Sequence, residues 1–239
     1  MQNIQYCKSY EALSELASER LVEVITSKPD ATICLATGAT PELTYRFFVE
    51  KIQQRHVDIR NVTFVKLDEW LGIPLHTPGT CESFLQQHIV QPLGIRPDQL
   101  IGFQSENIDE AECERVTDLI AHRGGLDLCL LGLGKNGHLG LNEPGEALTP
   151  FCHISRLDEK TRQHDMLKTA GRPVMHGITL GLKDIMNTKE VMLLIAGEGK
   201  SLASRQFLTQ SITTSLPASF LWLHNNMHCL IVHSCLDYS

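Results

Sequence analysis

Four short apolar runs that do not alternate with polar residues constrain the fold of this 239-residue chain more than any other feature. They are residues 31–37 (ATICLAT), 62–67 (VTFVKL), 126–131 (LDLCLL) and 191–196 (VMLLIA). A strand with one wet face alternates apolar and polar side chains, whereas a continuously apolar strand must be covered on both faces. Residues 220–223 and 229–232 are shorter strand candidates. Helical spacing fills the intervals. Residues 9–27 open at Ser9 as an N-cap and place Leu13, Leu16, Ala17, Leu21, Val24 and Ile25 on one face. Similar patterns cover 80–91, 109–122, 158–168 and 199–209. Buried strands alternating with helices predict an α/β fold: a doubly wound, mostly parallel sheet with helices on both faces. No linker, repeat or low-complexity tract divides the chain, so a single domain over 1–239 is expected. Segment 145–180 fits neither pattern and is expected to be an excursion over the site.

Charge and composition exclude several classes. The net charge is −7 and no run of Lys or Arg is long enough to follow a phosphate backbone, so nucleic acid is not an expected partner. No stretch approaches the roughly 18 apolar residues that a membrane-spanning helix needs, and the first twenty residues lack a signal-peptide core, which predicts a cytoplasmic protein with no membrane contact. Eight cysteines occur without a CxxC pair, with Cys34 and Cys129 inside apolar runs. They read as small buried residues rather than as disulfides or zinc ligands. His224 and His228 stand four apart, but no carboxylate lies between them and their flanks look like strands, so no metal is expected.

In an open parallel sheet, ligands bind beyond the carboxyl ends of the strands. The residues just after each run are therefore the site candidates. After the first run comes Thr37-Gly38-Ala39-Thr40-Pro41, a tight turn whose succeeding helix, with Thr40 as N-cap and Pro41 as first helical residue, offers free N–H groups to an anion. After the second comes Asp68-Glu69-Trp70, and after the fourth Gly197-Glu198-Gly199-Lys200. The third leads into GLGKNGHLGLNEP, residues 132–144. Its Gly132, Gly134 and Gly137 match GxGxxG, but a dinucleotide fingerprint should open a long helix, and Asn142-Glu143-Pro144-Gly145 stops one at once. The loop is better suited to holding His138 and Glu143 over a ligand.

The segments GLGKNGHLGLNEPGE, VKLDEW and ATGATP, in this order and spacing, resemble the glucosamine/galactosamine-6-phosphate deaminase-isomerase family over nearly the whole chain. Within it the sequence is most similar to the galactosamine-6-phosphate isomerase branch. The resemblance implies a small-molecule sugar phosphate as partner and conversion of galactosamine 6-phosphate to tagatose 6-phosphate plus ammonia, with no cofactor and no metal. It implies that Asp68 moves a proton between C2 and C1, that His138 opens the pyranose ring, and that Glu143 is the carboxylate partner of His138. It also implies that Gly38, Ala39, Thr40 and Lys200 hold the phosphate. Imidazole suits ring opening because its pKa lies near working pH, and a partly dehydrated carboxylate suits carbon-acid chemistry.

Two departures from the family pattern stand out. Asn136, counted with the catalytic residues, occupies a position where many members carry Asp, and Lys168, near the place of a phosphate-binding Arg, is expected to take its part in holding the phosphate. Lys168 is a point charge without a bidentate fork. Homo-oligomerisation is left open, and assembly or effector control is not carried over. The competing functions are glucosamine-6-phosphate deamination by the same chemistry, 6-phosphogluconolactone hydrolysis, and non-catalytic sugar-phosphate sensing.

Overall fold

The computed structural model describes residues 3–237. Among these residues ten strands form two sheets: β1 (Asn3–Cys7), β2 (Thr32–Leu35), β3 (Thr63–Lys66), β4 (Asp68–Trp70), β5 (Leu100–Ile101), β6 (Leu128–Gly132), β7 (His153–Arg156), β8 (His176–Thr179), β9 (Glu190–Ile195) and β10 (Met227–Val232). The large sheet has the order β1-β10-β9-β6-β2-β3-β5, and all its pairs are parallel. The chain enters this order at β1 on one edge, reaches β2 by helix α1 (Tyr10–Ser27), and adds β3 and β5 on one side of β2. It then returns to place β6 on the other side, followed by β9 and β10. The order reverses between β2 and β6, where Ile33 pairs with Leu128 and Leu35 with Leu130. That reversal opens a crevice above the carboxyl ends of both strands.

The non-alternating runs are buried for the reason their composition predicts. Every residue of β2, β3 and β9 is buried, and one apolar cluster continues through the sheet to α1 and to helix α2 (Ala39–Gln54). Ser9 caps α1 as expected, its hydroxyl accepting from the Ala12 amide at 3.2 Å. Helix α2 departs from expectation. Its N-cap is Gly38, with φ of 96°, so Thr40 lies inside the first turn instead of capping it. A non-glycine residue at that φ would be strained, so the glycine permits the chain to turn abruptly from β2 into the helix.

Residues 220–223 are not a strand. They belong to a 3-10 helix, Pro217–Leu223, in which proline at the first position sets the helical φ. The Ala218 amide donates to the Gly137 carbonyl, and the Trp222 indole donates to the Phe207 carbonyl. The 158–168 pattern is two short helices, Glu159–Arg162 and Asp165–Ala170, capped separately by Asp158 and His164. The 80–91 pattern is helical but contains a π-helical turn, Gln86–Val90, after helix α3 (Cys81–Leu85). Strand β1 escapes the sequence reading because it is an edge strand with mostly exposed side chains.

Segment 145–180 supplies most of the second sheet. Strands β7 and β8 pair antiparallel with each other, and β8 pairs antiparallel with β4. A separate apolar cluster of Trp70, Ile73, Cys81, Leu141, Leu157, Leu167 and Val174 holds this excursion against the crevice.

Candidate active site

The four loops named from sequence meet above the β2/β6 reversal. A Cβ added at Gly132 would lie 3.5 Å from the Thr40 Cβ, so the turns after β2 and β6 abut. Lys200, after β9, is buried, and its ammonium donates to the Thr40 hydroxyl at 2.6 Å. Burial, reinforced by the Lys135 charge, lowers its pKa to about 8 against the opposing influence of Cys235. The cradle therefore joins free amides at the start of α2, a threonine hydroxyl and a poorly hydrated ammonium, a combination suited to an anion.

Asp68 begins β4 and is 7% exposed. Burial raises its pKa to about 6, with the Cys81 hydrogen bond opposing the rise, Glu69 adding to it, and His138 and Lys66 lowering it. The Cys81 thiol donates to Asp68 Oδ1 at 3.3 Å, and the Thr37 hydroxyl donates to the Cys81 sulfur at 3.2 Å. A buried ionic cluster fixes the segment beneath. Lys66 Nζ lies 2.8 Å from both Glu69 Oε2 and Glu82 Oε2 and donates to the Phe103 carbonyl at 3.1 Å. The Glu69 carboxylate also accepts from the amides of Trp70, Cys81 and Glu82. That one side chain ties the strand bearing Asp68 to the start of the helix bearing Cys81.

The loop after β6 runs from 133 to 152 without a helix, so the GxGxxG resemblance lacks the element that a dinucleotide fingerprint requires. Gly134 has a different use. A Cβ there would stand 2.3 Å from the His138 ring, and its absence lets the imidazole fold back over the loop. His138 Nδ1 lies 3.4 Å from Glu143 Oε2 and 3.2 Å from the Thr161 hydroxyl. Asn136 closes the arrangement: its amide donates to Glu143 Oε2 at 2.9 Å while its carbonyl accepts from the His138 amide at 3.2 Å. Glu143 is mostly buried, which would raise its pKa. The hydrogen bond and charge of His138, with Thr161 and Asn136, outweigh burial and hold it below the usual carboxylate range. Asn142 stabilises the loop by donating to the Leu139 and Leu180 carbonyls.

Lys168 is exposed and ion-paired with Asp165 at 2.6 Å. His224 and His228 are each engaged by protein groups, Nε2 of His224 with the Thr188 carbonyl and Nε2 of His228 with Asn226 Oδ1. Thr37, Cys81, Thr161 and His164 were not legible as site residues. Cys81, Thr161 and His164 lie in none of the short motifs, and Thr37, though within the ATGATP turn, shows its role only through Cys81, 44 residues on.

Known proteins of similar sequence and fold identify the family. Residues 8–230 match the family described as glucosamine-6-phosphate isomerases/6-phosphogluconolactonase. The chain belongs to this enzyme family. It is 68% identical to AgaI of Escherichia coli (strain K12), a protein provisionally named a deaminase, over 97% of this chain and 92% of that one. It is 35% identical to glucosamine-6-phosphate deaminase 1 of Bacillus subtilis (strain 168), over 95% of this chain and 96% of that one. Among solved structures, a monomeric glucosamine-6-phosphate deaminase superposes with a TM-score of 0.93 at 34% identity, covering 98% of this chain and all of that one. A 6-phosphogluconolactonase from Trypanosoma cruzi shares the fold, with a TM-score of 0.79 at 18% identity over 98% of this chain and 96% of that one. No helix among the described residues is long and apolar enough to cross a membrane.

Proposed function

We propose that this chain isomerises and deaminates an amino-sugar 6-phosphate, galactosamine 6-phosphate in preference to glucosamine 6-phosphate, giving the 2-keto sugar phosphate and ammonia. The observation that carries this reading is the buried Asp68 carboxylate, raised in pKa to about 6, beside a His138–Glu143 pair above the same sheet ends as the Lys200–Thr40 cradle. Lactone hydrolysis needs no base of this kind, and a sensor needs neither acid. The galactosamine preference rests on the overall sequence resemblance, and the chain is only 34–35% identical to proteins named glucosamine-6-phosphate deaminases.

The steps are set by the groups present. The phosphate sits on the α2 amides with Lys200 as counter-charge, leaving C1 and C2 toward Asp68 and His138. His138 takes the proton of the anomeric hydroxyl and returns one to the ring oxygen, opening the sugar. Glu143, held by Asn136, stabilises the imidazolium formed in between. Asp68 then removes the C2 proton, generating an enolamine, and delivers a proton to C1. The resulting 2-imine takes up water and expels ammonia, leaving the ketone. A carboxylate with a pKa of about 6 is ionised at neutral pH yet basic enough to abstract and return that proton.

The test is ammonia release from galactosamine 6-phosphate and glucosamine 6-phosphate in parallel, with kcat/KM for each. A larger value for the galactosamine substrate is expected. Release from neither, with hydrolysis of 6-phosphogluconolactone, would replace this reading by the lactonase one. Phosphate-sugar binding without turnover of any of the three would indicate a sensor.

A further inference from the structure

His164 stands where the second sheet's excursion meets the phosphate cradle. Its Nδ1 accepts from the Met166 amide at 3.3 Å, capping the helix Asp165–Ala170. A ring whose Nδ1 accepts carries its proton on Nε2. That Nε2 edge points toward Gly38, the N-cap of α2: a Cβ built on Gly38 would lie 3.5 Å from His164 Cε1 and 3.6 Å from Nε2. No hydrogen bond is made by Nε2 among the described residues. Trp70 supports the ring from one side, with centroids 6.1 Å apart. The charged groups that face His164 are His138, Asp165, Lys135 and Lys200, three of them cationic when protonated. Burial first, then His138, with smaller contributions from Lys135 and Lys200, holds its pKa below the usual histidine range against the opposing Asp165. A neutral N–H donor with no partner of its own among the described residues and with Lys135 and Lys200 nearby is matched to an anion.

We propose that His164 is a phosphate-binding residue, donating Nε2–H to the substrate phosphate beside Gly38. The inference rests on the phosphate cradle assigned under the proposed function and extends it to a residue outside every motif. The excursion that carries His164 thereby acts as one wall of the site.

The merely structural alternative is that His164 only caps its helix. His164→Asn separates the two, because asparagine is a strong N-cap and keeps an acceptor near Nδ1 but cannot reach the Nε2 position. His164→Gln places an amide donor near Nε2 instead. The binding of inorganic phosphate, measured by calorimetry on the intact chain, is expected to weaken about tenfold to a hundredfold in the Asn variant, the range for losing a hydrogen bond to a charged group. The Gln variant should recover part of that loss. With the amino-sugar phosphate the Asn variant should raise KM far more than it lowers kcat, since the phosphate lies away from the reacting carbons. Phosphate affinity equal in wild type and the Asn variant overturns the inference while leaving the cradle intact. No phosphate binding by wild type overturns both the inference and the cradle. Phosphate binding weakened by His164→Asn in a chain that deaminates neither amino sugar sustains the inference and rejects the proposed reaction.

Discussion

The thiol of Cys81 donates to Oδ1 of Asp68 at 3.3 Å, and the sulfur in turn accepts from the Thr37 hydroxyl. Burial raises the Cys81 pKa well above that of an ordinary thiol, so the group remains a donor throughout the neutral range. Its hydrogen bond opposes the burial that raises the pKa of Asp68. Replacing Cys81 by Ala should therefore move the acidic limb of kcat/KM upward from about 6, by a few tenths of a unit to about one unit. Cys81→Ser keeps a donor and should leave the limb near its original place. A pH–rate profile in which the Ala variant titrates like wild type would remove Cys81 from the control of Asp68.

Asp68→Asn should lower turnover by about 10² to 10⁴ while leaving inorganic phosphate binding intact. It should also stabilise the fold. A carboxyl whose folded pKa is raised to about 6 contributes stability that is present below its unfolded pKa and lost as pH rises through 6. At pH 7 the neutral amide avoids that loss, worth on the order of 1–3 kcal/mol. The gain should shrink toward zero near pH 4. Denaturant unfolding at both pH values checks the sign, and an Asn variant less stable at pH 7 would contradict the burial argument.

Lys200 carries its charge below about pH 8 and loses it above. KM for the sugar phosphate should accordingly rise as pH increases through 8, more steeply than kcat changes. An anion in the cradle favours the protonated amine, so phosphate binding near pH 8.5 should take up a fraction of a proton. Calorimetry in two buffers of different ionisation enthalpy measures that uptake. Lys200→Met should weaken phosphate binding and abolish the proton uptake together.

Asn136 donates to the Glu143 carboxylate at 2.9 Å. Asn136→Asp replaces that donor with a second negative charge, which should raise the pKa of Glu143 from its depressed position and cost about 1–3 kcal/mol at pH 7. The penalty should fall as the medium is acidified and one carboxyl of the pair takes a proton. Equal stability of the two proteins at pH 7 and pH 4 would show that the loop relaxes to separate the charges.

The large sheet was legible in residues 31–37, 62–67, 126–131 and 191–196 because strands buried on both faces have no freedom to be polar. The candidate site was legible for a related reason: Gly38, Lys200, His138 and Glu143 lie in the loops that follow strand ends, where a doubly wound sheet collects its ligand contacts. Legibility failed where a residue's neighbours are set by packing across the sheet edge. The 220–223 run is as apolar as a short strand, yet Pro217 and the docking of Ala218 on Gly137 make it a 3-10 helix. Thr40 looked like a cap, but Gly38 starts the helix two residues earlier and frees the threonine hydroxyl for Lys200.

By itself the sequence determined the layered α/β architecture, the family, and the side chains at each strand end, because hydrophobic periodicity and local turn chemistry act over a few residues. The tertiary structure alone decided which distant groups meet them. It placed Cys81 on Asp68, Thr161 on His138, and His164 at Gly38. Those contacts depend on where segment 145–180 and the helix at Cys81 come to rest, which is set by the burial of Trp70, Leu141, Leu157 and Leu167 in a second apolar cluster. Burial also set the pKa of Asp68 at about 6 and that of Lys200 at about 8. Desolvation is a property of a folded environment, and no spacing along the chain encodes it.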